Sequence, residues 1–179
     1  MSTGSPRALP CNVTRVTVRK LDNADWGFES NCFVCEPKNA HGLRIPFIYD
    51  DEADVVTADF NLGDTFSGAP SYVHGGVTLA VLDEAMSWAT IASANAFAVT
   101  QTTTTNFVRP VKLGRAYRVT AKVDGRDGDV LTVSAVVTNE HGKPCAEASA
   151  RFLQLSMDQA ESAIGTTPTG DDAGYVKGG

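Results

Sequence analysis

Asp83 and the turn His74-Gly75-Gly76 are the residues whose types and spacing best suit chemistry. They sit at two points of one stretch, Val77-Thr78-Leu79-Ala80-Val81-Leu82-Asp83-Glu84-Ala85-Met86-Ser87-Trp88-Ala89, that is otherwise apolar. A helix hydrophobic nearly all the way round belongs inside a protein. A carboxylate on such a helix is costly to bury unless something pairs with it or uses it. The glycines at its start expose backbone N–H groups that no intrahelical bond satisfies. That end suits negative charge developing on an oxygen. An acid and an oxyanion-binding turn on one buried helix point to chemistry on an acyl group.

Distance limits how the two can cooperate. A helix rises about 1.5 Å per residue, so the turn and Asp83 lie roughly 12–14 Å apart along it. Groups acting on one reacting atom must lie about 3 Å from it. Gly75 of one subunit is therefore expected to face Asp83 of another, in two symmetric composite sites. Glu84 lies about 100° further round the helix and reads as a structural or rim acid.

The surrounding elements follow from the changing period of the chain. Val13 to Lys20 could form a leading strand. Arg44 to Tyr49 and Ala53 to Leu62 flank the polar turn Asp50-Asp51-Glu52 and read as a hairpin. A loop from Gly63 to Ser71 leads to the long helix, about Gly75 to Asn95. Thr and Val from Ala98 to Val108 favour a strand that Arg109-Pro110 closes. Tyr117, Val119, Ala121 and Val123 alternate with mostly polar residues, and Leu131, Val133, Ala135 and Val137 continue the pattern after the turn Gly125 to Gly128. Asn139-Glu140-His141-Gly142 is a second hairpin turn before a last strand, Pro144 to Leu155. The expected fold is α+β, an antiparallel sheet wrapped round one long buried helix. Residues 1–12 read as a flexible tail, 13–158 as the domain, and 159–179 as a disordered tail rich in Gly, Thr, Pro and Asp.

Composition bounds the rest. With 179 residues, 42% hydrophobic and 20% charged, the chain is of ordinary soluble make-up and can bury a real core. A net charge of −6 argues against a general nucleic-acid binder. Arg109, Lys112, Arg115 and Arg118 cluster in sequence, as a solvated strand end or as a patch for a phosphate-bearing substrate. Ala85 to Val108 is uncharged, but Ser, Thr, Asn and Gln interrupt it too often for a membrane span. Met1 to Pro10 lacks the apolar core of a secretory signal, so a cytoplasmic, reduced protein is the expectation. Cys32-x-x-Cys35 has the spacing of half a zinc site, with His41 nearby. No second pair follows, and the segment reads as packing on the helix rather than as a metal site.

His74-Gly75-Gly76, Leu82-Asp83-Glu84-Ala85, Asn106-Phe107-Val108-Arg109-Pro110 and Leu113-Gly114 together resemble the hotdog-fold acyl-CoA thioesterases, in the phenylacetate-pathway-type branch. The similarity runs from about Asn31 to Leu155. Asn31-Cys32-Phe33-Val34-Cys35 and Asn39-Ala40-His41-Gly42-Leu43 resemble the opening of many bacterial members, with Glu36 for the usual Gly and Ala40 for the usual Pro. The resemblance implies that Asp83 is the catalytic carboxylate, as nucleophile or general base, and that the Gly75 amide polarises the thioester carbonyl. It implies that His74 positions the same region and that Thr100 orients the carboxylate or the attacking water. Gly76, Gly68 and Arg109 would line the substrate site. Relatives often carry Asn or Gln at the position of Gly68, six residues before the histidine.

The implied activity is hydrolysis of an acyl thioester on coenzyme A, or on an acyl-carrier protein, without a metal or redox cofactor. The implied assembly is a homodimer or a dimer of dimers, with neither nucleic acid nor membrane as partner. Two alternatives share the fold: a non-catalytic acyl-thioester binding or regulatory protein, which Gly68 keeps open, and an enoyl-thioester hydratase or dehydratase.

Overall fold

A seven-stranded antiparallel sheet curves round a single long helix in the computed structural model, which describes residues 18–23, 29–169 and 174–176. The strands are β1 (Val18–Leu21), β2 (Phe47–Asp50), β3 (Val55–Phe60), β6 (Ala98–Phe107), β7 (Tyr117–Asp127), β8 (Val130–Asn139) and β9 (Pro144–Gln154), in the spatial order β1-β2-β3-β7-β8-β9-β6. A small ribbon, β4 (Ser67–Ala69) with β5 (Tyr72–Val73), lies between β3 and the helix α1 (Gly75–Ala92). It occupies the expected loop, beside a 3-10 turn over Asp64–Phe66. The expected N-terminal tail, and Val13 to Thr17 of the leading strand, lie outside the described residues.

Alternation along the strands explains the layering. Val119, Ala121, Leu131, Val133, Ala135, Val137, Ala146, Ala148, Ala150 and Phe152 are all buried on the face that meets the helix. Every residue of α1 from Val77 to Ala92 is buried or half-buried, as an all-round apolar helix requires. The helix stops three residues short of expectation, before Asn95 takes a left-handed turn at φ 50°. The β7–β8 turn also moves. β7 continues through an irregularity between Val123 and Gly125, leaving only Gly128 and Asp129 in the loop, with Gly128 at φ 59°.

The expectation of a disordered tail from residue 159 needs correction. A second helix, α2 (Met157–Ile164), begins at a capping box in which Ser156 and Gln159 satisfy each other's backbone N–H groups. It ends at Gly165 in the left-handed region, φ 82°. Ala160 packs with Leu155 and Val176 in a small cluster that Phe97 and Ile164 flank. Asn95 Nδ2 donates to the Gly174 carbonyl at 3.1 Å, tying the distal segment back to the body.

Candidate active site

His74 precedes the first turn of α1 as its N-cap, and its Nδ1 accepts the Gly76 N–H at 2.9 Å. That bond satisfies one of the orphan donors of the helix start. It also assigns the neutral tautomer. With Nδ1 accepting, the ring's N–H donor is Nε2, on an exposed side chain. Among the described residues, the Gly75 N–H has no acceptor, as expected for the first residue of a helix, while the His74 carbonyl accepts from Val77 and Thr78. The result is a backbone donor at the positive end of a helix beside an imidazole donor.

Gly68 lies directly beneath this turn. A Cβ there would stand 2.9 Å from His74 Cα and 3.1 Å from its ring Cδ2, so a larger residue would displace the N-cap. The ribbon holds the two together, with the His74 N–H donating to the Phe66 carbonyl at 2.9 Å. The space beside Gly68 is taken by His74 itself. Gly68 therefore serves as packing under the turn and presents no side chain to a substrate.

Two turns further along α1, Asp83 Oδ1 accepts the Thr100 Oγ1–H at 2.7 Å. The strand makes this contact by a shift of register. Thr100 pairs with Phe152, whose side chain is fully buried, so both face the helix. Gln101 then bulges out, and Thr103, Thr105 and Phe107 continue on the helix side opposite Ala150, Ala148 and Ala146. The part of β6 beyond Thr100 is nevertheless uncovered: Thr103 is exposed and Phe107 is 56% exposed. Among the described residues, the other edge of β6 has no strand beside it.

Phe107 approaches the far end of the helix. Its ring lies 3.7 Å from where a Gly75 Cβ would stand. Tyr72, Gly75, Thr78, Phe107, Arg109 and Val111 line a cleft of about 190 Å³ there. An adjoining cleft of about 310 Å³ shares Arg109 and Pro110 and adds Lys112 and Arg115. Three of the four clustered cations thus surround one depression. The fourth does not: Arg118 makes a two-pronged pair with Asp59, both contacts at 2.7 Å.

Glu84 points away from Asp83, toward the loop that carries the cysteine pair. Cys32 Sγ, Cys35 Sγ and a Glu84 carboxylate oxygen lie within 4.8 Å of one another. Burial first, and then negative charge at Cys32, push the Glu84 carboxyl up to about 8. Hydrogen bonding from Cys35 holds the Cys32 thiol well below the usual thiol range, and the same bond pushes Cys35 up. His41, the expected neighbour of the pair, is exposed and outside this group. Sequence reasoning missed Glu84 because its partners lie far upstream. Its only signal was a second acid on an apolar helix.

Residues 71–146, from the turn through α1 to the start of β9, match the model of the thioesterase superfamily. No curated protein matches the chain. Among solved structures, a thioesterase superfamily protein is similar at 24% identity and a TM-score of 0.62, over 66% of this chain; the chain covers 57% of that protein, less than two thirds of its length. A phenylacetic acid degradation-related protein from Ralstonia eutropha JMP134 is similar at 26% identity and a TM-score of 0.56, over 62% of this chain and 85% of its own. A Streptococcus mutans UA159 protein solved with acetyl CoA is similar at 21% identity and a TM-score of 0.54, over 56% of this chain and 81% of its own. With its glycine turn, its buried helix and the sheet that wraps it, the chain has the hotdog fold, and its central stretch is similar to the thioesterase superfamily.

Proposed function

We propose that this protein hydrolyses an acyl thioester carried on coenzyme A. The single observation that carries the reading is the Thr100–Asp83 hydrogen bond, which aims a carboxylate on a buried helix toward an uncovered strand face. Asp83 takes a proton from the attacking water as its oxygen bonds to the acyl carbon. The Gly75 N–H holds the oxyanion, with His74 Nε2–H as a second donor in place of the missing amide at Gly68. The carbon–sulfur bond then breaks and the proton passes to the leaving thiolate. Attack by Asp83 itself, through a mixed anhydride, gives the same products. Arg109, Lys112 and Arg115 offer cations for the carrier's phosphates. The solved Streptococcus protein with acetyl CoA supports that carrier.

The site is completed by a second copy. α1 runs from Phe107 toward Thr100, opposite in direction to β6. If two β6 edges pair antiparallel about a point near Thr103, the Gly75 turn of one copy approaches Asp83 of the other. Such pairing also covers Phe107, and Val99, which is 43% exposed.

The test is a thiol-release assay over aryl- and alkyl-CoA esters, with Asp83→Ala beside the wild type. Loss of hydrolysis in the variant is expected, and unchanged hydrolysis would overturn the mechanism. Conversion of an enoyl ester without thiol release would replace it with hydration.

A further inference from the structure

We propose that Cys32, Cys35 and Glu84 form a binding site for a zinc-class divalent metal ion, linking the loop from Asn31 to Glu36 to the central helix beside Asp83. Three ligand atoms of the types zinc prefers already converge within 4.8 Å of one another, so a small inward movement of the side chains brings them to the roughly 3.8 Å spacing set by tetrahedral zinc–sulfur bonds of about 2.3 Å. Water would take a fourth position. Two thiols and a carboxyl in a half-buried place become three negative charges only when they coordinate a cation and give up their protons. Among the described residues, no Lys, Arg or His pairs with Glu84, so nothing there supplies the counter-charge a divalent ion would bring.

The loop is built to hold its sulfurs in this arrangement. Cys32 Sγ accepts the N–H groups of Val34 at 3.3 Å and Cys35 at 3.4 Å, which stabilise a thiolate there. Asn39 Nδ2 donates to the carbonyls of Asn31 and Cys32 at 3.2 and 3.3 Å, bracing the loop from behind. Leu43 and Ile45 N–H groups donate to Phe33 and Val34 at 2.7 and 2.8 Å. Gly42 permits this approach, since a Cβ there would stand 2.6 Å from the Phe33 carbonyl oxygen. Glu36 accepts the Lys38 N–H at 2.9 Å and leaves the ligand group to Glu84. A disulfide between Cys32 and Cys35 would instead remove the S–H groups and leave Glu84 without its partners. Coordination keeps all three groups engaged, with the protons of the thiols and carboxyl released to solvent.

The experiment is a titration of the reduced, metal-stripped full chain with cobalt(II), followed by displacement with zinc(II). The expected result is a thiolate-to-cobalt charge-transfer band that saturates at one ion per chain and disappears on adding zinc. Cys32→Ser and Cys35→Ser should abolish the band. Glu84→Gln should keep it and weaken affinity by about tenfold or more. A wild type that develops no band overturns the proposal, and this holds even if a cysteine variant does not fold. A band that survives in both cysteine variants also overturns it. None of these readouts involves hydrolysis, so failure here leaves the thioesterase reading untouched.

Discussion

Replacing Gly75 with proline removes one N–H from the proposed oxyanion site and should disturb little else. Gly75 is the first residue of α1, where proline is well tolerated because that N–H has no intrahelical acceptor. His74 already has φ −58° and ψ 134°, the extended backbone that a residue before proline needs. The nearest atom to a new Cβ is 3.7 Å away, an ordinary contact. Loss of one oxyanion donor should lower kcat by about 10²–10³ with stability nearly unchanged. Gly75 and Asp83 stand eight residues apart on one continuous helix, about 12 Å, so the two substitutions damage different composite sites. Co-expressing Gly75→Pro and Asp83→Ala chains under different affinity tags, and purifying through both, isolates the mixed dimer. One of its two sites has both groups intact and the other has neither. It should show about half the wild-type rate per dimer, on the order of 50-fold above either parent. Thiol release measures it. A mixed dimer no more active than its parents, or failure of the two chains to associate, refutes the composite site.

Other outcomes follow from single contacts. Thr100→Val deletes a hydrogen bond to a carboxylate, worth about 1.5–3 kcal/mol, and should lower kcat by about 10- to 100-fold; Thr100→Ser should restore most of it, and equal losses in both variants would remove the orienting role. Gly68→Ala places a Cβ 2.9 Å from the His74 backbone and should cost about 1–3 kcal/mol in urea unfolding; an unchanged midpoint would mean that the ribbon yields freely. Thr103→Lys sets like charges face to face at the proposed axis, and light scattering should report dissociation to monomer together with loss of activity. Arg118 holds Asp59 below the usual carboxylate range, so the pair stabilises the fold above that range and the effect fades as pH falls through the depressed value. Because both side chains are exposed, Asp59→Asn should cost no more than about 1 kcal/mol at neutral pH, and the gap from wild type should close in acid.

The helix and the hairpins were legible because their periods are strong and their turn residues unambiguous. Asn139 shows why: its Oδ1 accepts from His141 and Lys143 N–H groups, a local device that needs no tertiary context. Thr100 was a different case. Its meeting with Asp83 depends on the irregularity at Gln101, and nothing in a run of threonines says where the register slips. The resemblance supplied the partner, and the strand pairing explains it. α2 carried a readable signal, since Ser156, Gln159 and Gly165 are a start and a stop, but the composition beyond Ala160 pointed the other way. Contacts between distant segments were beyond reach. The closeness of Glu84 to the cysteine loop, some fifty residues upstream, arises only when the chain is folded.

The open edge of β6 also bears on how a newly made chain survives. Ten residues of strand stand at the border of the sheet, a template on which any extended segment could add itself. Four consecutive threonines, Thr102 to Thr105, lie at its middle. Threonine favours the extended backbone yet offers only a methyl and a hydroxyl, too little apolar surface for a dry zipper with foreign strands. Such an edge recruits through backbone register more than through stickiness. Under the proposed pairing of two copies, an edge of this kind would favour a partner in matching register over foreign strands in the interval before the two copies meet.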